Sequence, residues 1–206
     1  MVYYSFGRWR DDGTDQTIHD LLRRQVRKRA GRAEDPSAVV LDTQTVHTSL
    51  NAPADTTGPD PRRKSRGRKR GIDSDVLGLV IAVVVSAAGV HDNAIGIALL
   101  DKVAAANPSV TKAWADAGVK NAVAARRAGP GIEVEVVHRD PHALGFTPLP
   151  KRWMAEQACG TPMLHRRLAR DYATLPASSA SMTDNMTRRL AGTTTPTWRD
   201  PLQVAV

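Results

Sequence analysis

The run Val76–Val90, VLGLVIAVVVSAAGV, carries no charge over fifteen residues and constrains the fold more than any other stretch. Spanning a bilayer takes roughly 20 apolar residues, so the run reads as a buried β-strand and no membrane span is expected. Its neighbours sharpen that reading. Arg68–Asp75 fits a preceding strand, Val76-Leu77-Gly78 a turn, and Leu77–Ala87 a second strand, central in its sheet and buried on both faces. Aromatic residues are only 4% of the chain, so the core must come from Val, Leu, Ile and Ala.

The remaining pattern alternates strands and helices. Ala38–Val46 is rich in β-branched residues and reads as the first strand. The polar, proline-containing stretch 51–66 reads as a loop. Asp92 is expected to cap a helix in which Ile95, Leu99 and Val103 form one stripe, ended by Asn107-Pro108. Val110–Ala115 and Ile132–Val137 read as further strands, with a short Ala-rich helix over 119–128 between them and a last helix starting near Lys151. Three strands in succession, then strands joined through helices, give an α/β fold. The expectation is an RNase H-like mixed five-stranded sheet flanked by helices. Residues 1–35 read as a basic helical segment, with Asp15 capping the helix Asp15–Arg29. Its Ile18, Leu21, Leu22 and Val26 face inward and its arginines outward. Residues 36–175 form the main domain, and 176–206 an irregular tail.

Lys and Arg number 29 against 21 Asp and Glu, a formal charge of +8. Such an excess favours a polyanionic partner, because each neutralised phosphate releases condensed counterions. Composition alone does not separate DNA from RNA. The run Arg62–Arg70 places seven bases in nine residues: Arg62, Arg63, Lys64, Arg66, Arg68, Lys69 and Arg70. A solvated charge run is the plain alternative, but its position entering the second strand favours phosphate contact. The single cysteine, Cys159, excludes an internal disulfide and suits the cytoplasm, as does the absence of an apolar leader after Met1.

Three acids stand out. Asp42 sits within an apolar strand, where a carboxylate is costly unless it meets a cation. Asp116 ends the fourth strand before a small-residue turn, although an Asp there could simply cap the next helix. Glu156 lies one turn into the last helix; alone it would be an ordinary exposed residue. If the first and fourth strands are neighbours, the three carboxylates converge, and their repulsion is relieved by hard divalent ions, Mg²⁺ or Mn²⁺. His91 and His138 lack ligand spacing. Tyr172 lacks the surrounding Arg–His–Arg set that a covalent tyrosine recombinase needs.

Taken in order, several segments resemble one family. They are Phe6–Gly13 (FGRWRDDG), AVVLDTQTVHT around Asp42, GRKRGIDSDVLGLV at 67–80, GVHDN at 89–93, KAWADAG around Asp116, and KRWMAEQ with HRRLARDY around Glu156. The set resembles the DDE transposases of bacterial insertion sequences, families four and five, over roughly residues 3–200. The resemblance implies that Asp42, Asp116 and Glu156 form a metal-binding catalytic triad. It implies that double-stranded DNA, as transposon ends and target, is the substrate, and that Arg152, Arg166 and Arg167 border the site on DNA. A homodimer is compatible with it. Four departures bear on activity. Met1 falls inside the pattern, where the family carries an upstream DNA-binding segment. Cys159-Gly160-Thr161-Pro162 interrupts the helix after Glu156, with a kink expected before Arg166. Ala173 replaces an acid, and Gly71 stands where a histidine is common. These departures raise the expectation of a truncated or decayed copy. The rivals to an active transposase are therefore a non-catalytic DNA-binding remnant and a small basic RNA-binding protein.

Overall fold

The computed structural model describes residues 2–115, 119, 131–137, 152–164, 166–180 and 190. Two N-terminal helices, α1 (Val2–Asp12) and α2 (Thr14–Arg29), precede β1 (Ala38–His47), a short 3-10 turn at Ala54–Thr56, and β2 (Gly58–Asp60). Then follow β3 (Ser65–Ser74), β4 (Val80–Ala87), α3 (Asp92–Ala106), β5 (Lys112–Ala115) and β6 (Glu133–Val136). The last described elements are α4 (Arg152–Met163) and two single-turn helices, α5 (Arg166–Ala169) and α6 (Pro176–Ser179). The helix expected over 119–128, apart from Val119, and the loop 140–150 lie outside the described residues.

The six strands form one mixed sheet. β1 pairs antiparallel with β3 from Val40 opposite Ser74 to His47 opposite Gly67, and parallel with β5 from Ala38 opposite Lys112 to Leu41 opposite Ala115. β6 adds parallel to β5, while β2 and β4 both pair antiparallel with β3. Three antiparallel strands followed by two parallel additions, with helices packed on the sheet, give the expected RNase H-like layout. The expected order is corrected in one respect: β3, paired along both edges, is central, whereas β4 pairs only with β3 among the described strands. The uncharged run nevertheless stays buried in its first half, because both faces of β4 are covered by helices there.

Side chains alternate across the sheet and feed two cores. Val39, Leu41, Ala82 and Ala113 pack against Ile95, Leu99, Leu100 and Val103 of α3, so the stripe read from spacing is the buried one. Gly71 of β3 makes that contact close: a Cβ there would lie 2.3 Å from Ile95 Cγ2 and 2.7 Å from Leu99 Cδ1. A histidine at this position has no room. On the opposite face, Ile72, Leu79, Val80 and Val83 pack with Val26, Ala158 and Cys159.

Burial on α2 departs from expectation. Val26 is buried, but Leu21 is 53% exposed, while His19, Arg23 and Arg27 turn inward. Each meets a polar partner: His19 Nε2 donates to the Val80 carbonyl at 2.9 Å, Arg23 donates to Asn107 Oδ1 at 3.1 Å, and Arg27 pairs with Asp75. Asp15 is not the cap; Gly13 precedes the helix at φ 80, and Asp12 accepts from the Thr14 N–H. Likewise His91 rather than Asp92 caps α3, its Nδ1 accepting from the Asn93 N–H. The tail expected to be irregular from 176 begins with α6 instead.

Candidate active site

Asp42 lies near the middle of β1, half-buried, on the face covered by α4. Its Oδ1 accepts from the Thr43 N–H at 2.8 Å, and the Cys159 thiol donates to its carboxylate. Burial pushes the Cys159 thiol well above its ordinary range, and the adjoining Asp42 charge and hydrogen bond hold it there, so the sulfur stays protonated. Two residues along β1, Gln44 Nε2 donates to the Cys159 carbonyl at 3.1 Å and pins the same helix to the strand.

Glu156 is an exposed residue of α4, three positions before Cys159. Residues three apart share a helix face, so the contact between Cys159 and Asp42 brings Glu156 within about one helical turn of that carboxylate. Asp116 lies outside the described residues. The strand that leads to it ends at Ala115, opposite Leu41, and each of these residues directly precedes one of the two aspartates in the chain. Arg152 begins α4, and Arg166 and Arg167 begin α5; their side chains lie outside the described parts. The helix break expected between Glu156 and Arg166 takes the form of an end: α4 stops at Met163, one residue past Pro162.

The basic run divides sharply. Arg62, Arg63, Lys64 and Arg66 are exposed. Arg68 and Arg70 are fully buried and Lys69 nearly so, which redirects the phosphate contact expected of them. Arg68 donates to the Ala173 and Thr174 carbonyls at 2.6 and 2.8 Å and pairs with Asp171 at 3.3 Å. Arg70 donates to the Leu168 carbonyl at 2.6 Å and to Ser179 Oγ. Lys69 holds the Asp92 carboxylate at 2.8 Å and the Val90 carbonyl. Their donors serve the fold because β3 is central and both of its faces are covered.

Sequence reasoning missed two acids here. Asp60 accepts from Thr45 Oγ1 and from the N–H groups of Arg62 and Arg63, at 2.9 and 3.1 Å for the last two. An acid two residues before a basic turn is the signal that could have revealed it. Asp73 is fully buried, and neither of its oxygens has a hydrogen-bond partner; nothing in its sequence neighbourhood announced that.

The donor chemistry fits a hard divalent cation. The oxygens of Asp42 lie beside Gln44, whose Oε1 is buried with no hydrogen-bond partner, and oxygen donors suit Mg²⁺ or Mn²⁺. Among the described residues no group of three His, Cys, Asp or Glu side chains is assembled for a metal; Asp116 is not among them. No helix among the described residues is long and apolar enough to cross a membrane.

Comparison with known proteins found no match among curated proteins and none among solved structures. The family described as "Transposase DDE domain" matches residues 33–160, from the chain before β1 to the last turn of α4. That span takes in β1, the parallel ladder to β5 and the helix carrying Glu156, and it exceeds half of the 206 residues. The chain belongs to the DDE-domain transposase family.

Proposed function

We propose that this chain cleaves and joins DNA strands at insertion-sequence ends, with Asp42, Asp116 and Glu156 holding Mg²⁺ or Mn²⁺. The observation that carries the reading is the packing of α4 onto β1, which sets the helix bearing Glu156 against the Asp42 carboxylate. Divalent ions held there supply an activated water or 3′-hydroxyl and stabilise the leaving oxygen of a phosphoryl displacement. The chain's own part is to fix the carboxylates. The Thr43 N–H orients Asp42, and the Gln44–Cys159 bond holds the helix down. The exposed Arg62, Arg63, Lys64 and Arg66 are assigned to phosphates of double-stranded DNA, as are Arg152, Arg166 and Arg167 on the helical side.

A metal-dependent nicking assay on an end-containing duplex tests the reading. The wild-type chain nicks with Mg²⁺ or Mn²⁺, and Asp42→Ala reduces nicking to background; equal activity of the two proteins overturns it. A second reading, a DNA-binding remnant without catalysis, is favoured by one observation. The Cys159 thiol occupies part of the Asp42 carboxylate's hydrogen-bonding capacity. That reading predicts duplex binding without nicking by either protein.

A further inference from the structure

Every second residue of β3 shares a face of the sheet, so Arg70, Arg68 and Arg66 form a column. Arg70 stands opposite Gln44 and Arg68 opposite Val46, on the face that also carries Asp42. These two arginines are fully buried beneath the segment 168–179. Arg66, the next one out, is exposed. The covering segment brings an arginine of its own to the same rim. Arg170 is exposed, and its Nη2 donates to the Thr48 carbonyl at 3.3 Å. His47 stands opposite Gly67, so Thr48 and Arg66 are the next residues outward on the paired strands.

The backbone beside Arg170 is firmly anchored. Asp171 donates its N–H to the His47 carbonyl and accepts from the Ser49 N–H, both at 2.8 Å. Its carboxylate is tied to Arg68 and to the Ser179 hydroxyl. A guanidinium launched from such an anchor loses less freedom on binding than one on a loose chain. Its charge is also available. Arg170 and Arg66 each bond a neutral oxygen, that of Arg66 being the Thr57 hydroxyl at 3.2 Å, and neither meets a carboxylate among the described residues. Arg62, by contrast, has Asp92 at 4.0 Å. Two uncompensated guanidiniums at one rim suit phosphate oxygens, which they grip through paired N–H donors. Thr48 lies six residues on from Asp42, roughly 20 Å at the rise of a strand. The rim is therefore too far away to touch an ion held by Asp42, and about half a helical turn of duplex separates the two points.

We propose that Arg170 and Arg66 hold backbone phosphates of double-stranded DNA at this rim, with Asp171 as the residue that positions Arg170. This rests on the transposase reading above and adds to it an anchoring point away from the acids.

The test uses the full chain and a fluorescein-labelled duplex read by anisotropy from 50 to 300 mM KCl. Arg170→Gln and Arg66→Gln are each expected to weaken binding several-fold and to reduce the slope of log affinity against log salt by about 0.9, and the double variant by about 1.8. Arg170→Lys, which keeps the charge, retains the slope, and the Mn²⁺ affinity of Arg170→Gln by calorimetry equals that of wild type. On the wild-type chain, bound duplex protects Arg170 and Arg66 from an arginine-specific dicarbonyl reagent, read by peptide mapping; this decides the matter should Arg170→Gln not fold. The inference is overturned if a folded Arg170→Gln keeps the wild-type slope, or if duplex leaves Arg170 as reactive as in the free chain. It is equally overturned if Arg8→Gln, which removes the same charge from α1, costs as much affinity, or if the chain prefers single-stranded RNA to the duplex. A wild-type chain that binds no duplex brings down the transposase reading and this assignment with it, whereas duplex binding that ignores Arg170 brings down the assignment alone.

Discussion

Asp73 is a carboxyl group with nothing to bond to. Burial raises it to about 8 from an ordinary 3.8, so the folded protein holds it protonated at neutral pH. The unfolded chain releases that proton near pH 4. Between about pH 4 and 8 the unfolded state therefore binds fewer protons than the folded one, and stability falls as pH rises, levelling off above 8. In mid-window the slope from this one group approaches about 1.4 kcal/mol per pH unit. Urea midpoints measured from pH 5 to 8 should decline in wild type, and Asp73→Asn should flatten the decline. Gly71 makes the opposite kind of demand, for space rather than charge. Gly71→Ala pushes a methyl into Ile95 and Leu99 and should cost about 1–3 kcal/mol by the same measurement, while a folded variant with an intact melt midpoint would contradict the close packing. Neither residue was legible beforehand. A glycine required by a helix packed across the sheet looks like any other glycine in a strand, and nothing local to Asp73, read as part of the strand Arg68–Asp75, says that both faces of that strand are covered there.

At the scale of elements, regular spacing was readable and charge was not. The stripe Ile95, Leu99, Val103 and the strand Ala38–His47 followed from period and composition, because apolar side chains have one place to go. Arg23 and Arg27 of α2 were expected to face solvent and are buried instead. Their partners, Asn107 and Asp75, lie 84 and 48 positions away, and no local pattern encodes such a distance. Asp75 also accepts from the Leu77 and Leu79 N–H groups, so one carboxylate both shapes the β3–β4 turn and receives the α2 guanidinium. Removing Arg27 leaves that buried acid without its counter-charge. Arg27→Ala should cost about 3–5 kcal/mol, read by denaturant unfolding; a loss under 1 kcal/mol would mean that α2 contributes little to the fold. The carriers of the candidate site were legible in the same uneven way. The strand of Asp42 and the helix of Glu156 could be read from sequence, whereas the contact between them runs through Cys159, which sequence marked only as the lone cysteine and the start of a helix interruption.

For the molecule as a whole, the deciding feature is the segment 168–179. It holds only two single-turn helices, yet it supplies the Leu168, Ala173 and Thr174 carbonyls, the Asp171 carboxylate and the Ser179 hydroxyl to two fully buried arginines of the central strand. Asp171 also bridges the end of β1, donating its N–H to the His47 carbonyl and accepting from that of Ser49. Deleting residues 165–206 should therefore unfold the protein rather than trim it, because two guanidinium groups would be left buried and uncompensated. Circular dichroism of the shortened chain would lose the β-sheet signal; a truncated protein that melts cooperatively near the wild-type midpoint would refute this. Arg68 and Arg70, read from sequence as part of a DNA-binding surface, are in this respect the rivets of the sheet.

That arrangement has a consequence for biosynthesis. The central strand is made early, by residue 74, but Arg68 and Arg70 find Asp171, Leu168 and Ser179 only about a hundred residues later. While the ribosome is still translating that interval, the nascent sheet carries two unmatched cations at its heart and cannot settle. A premature stop or frameshift anywhere before Ser179 would thus yield a polypeptide for proteases to clear rather than a shorter working transposase, even where every candidate catalytic acid had already been synthesised.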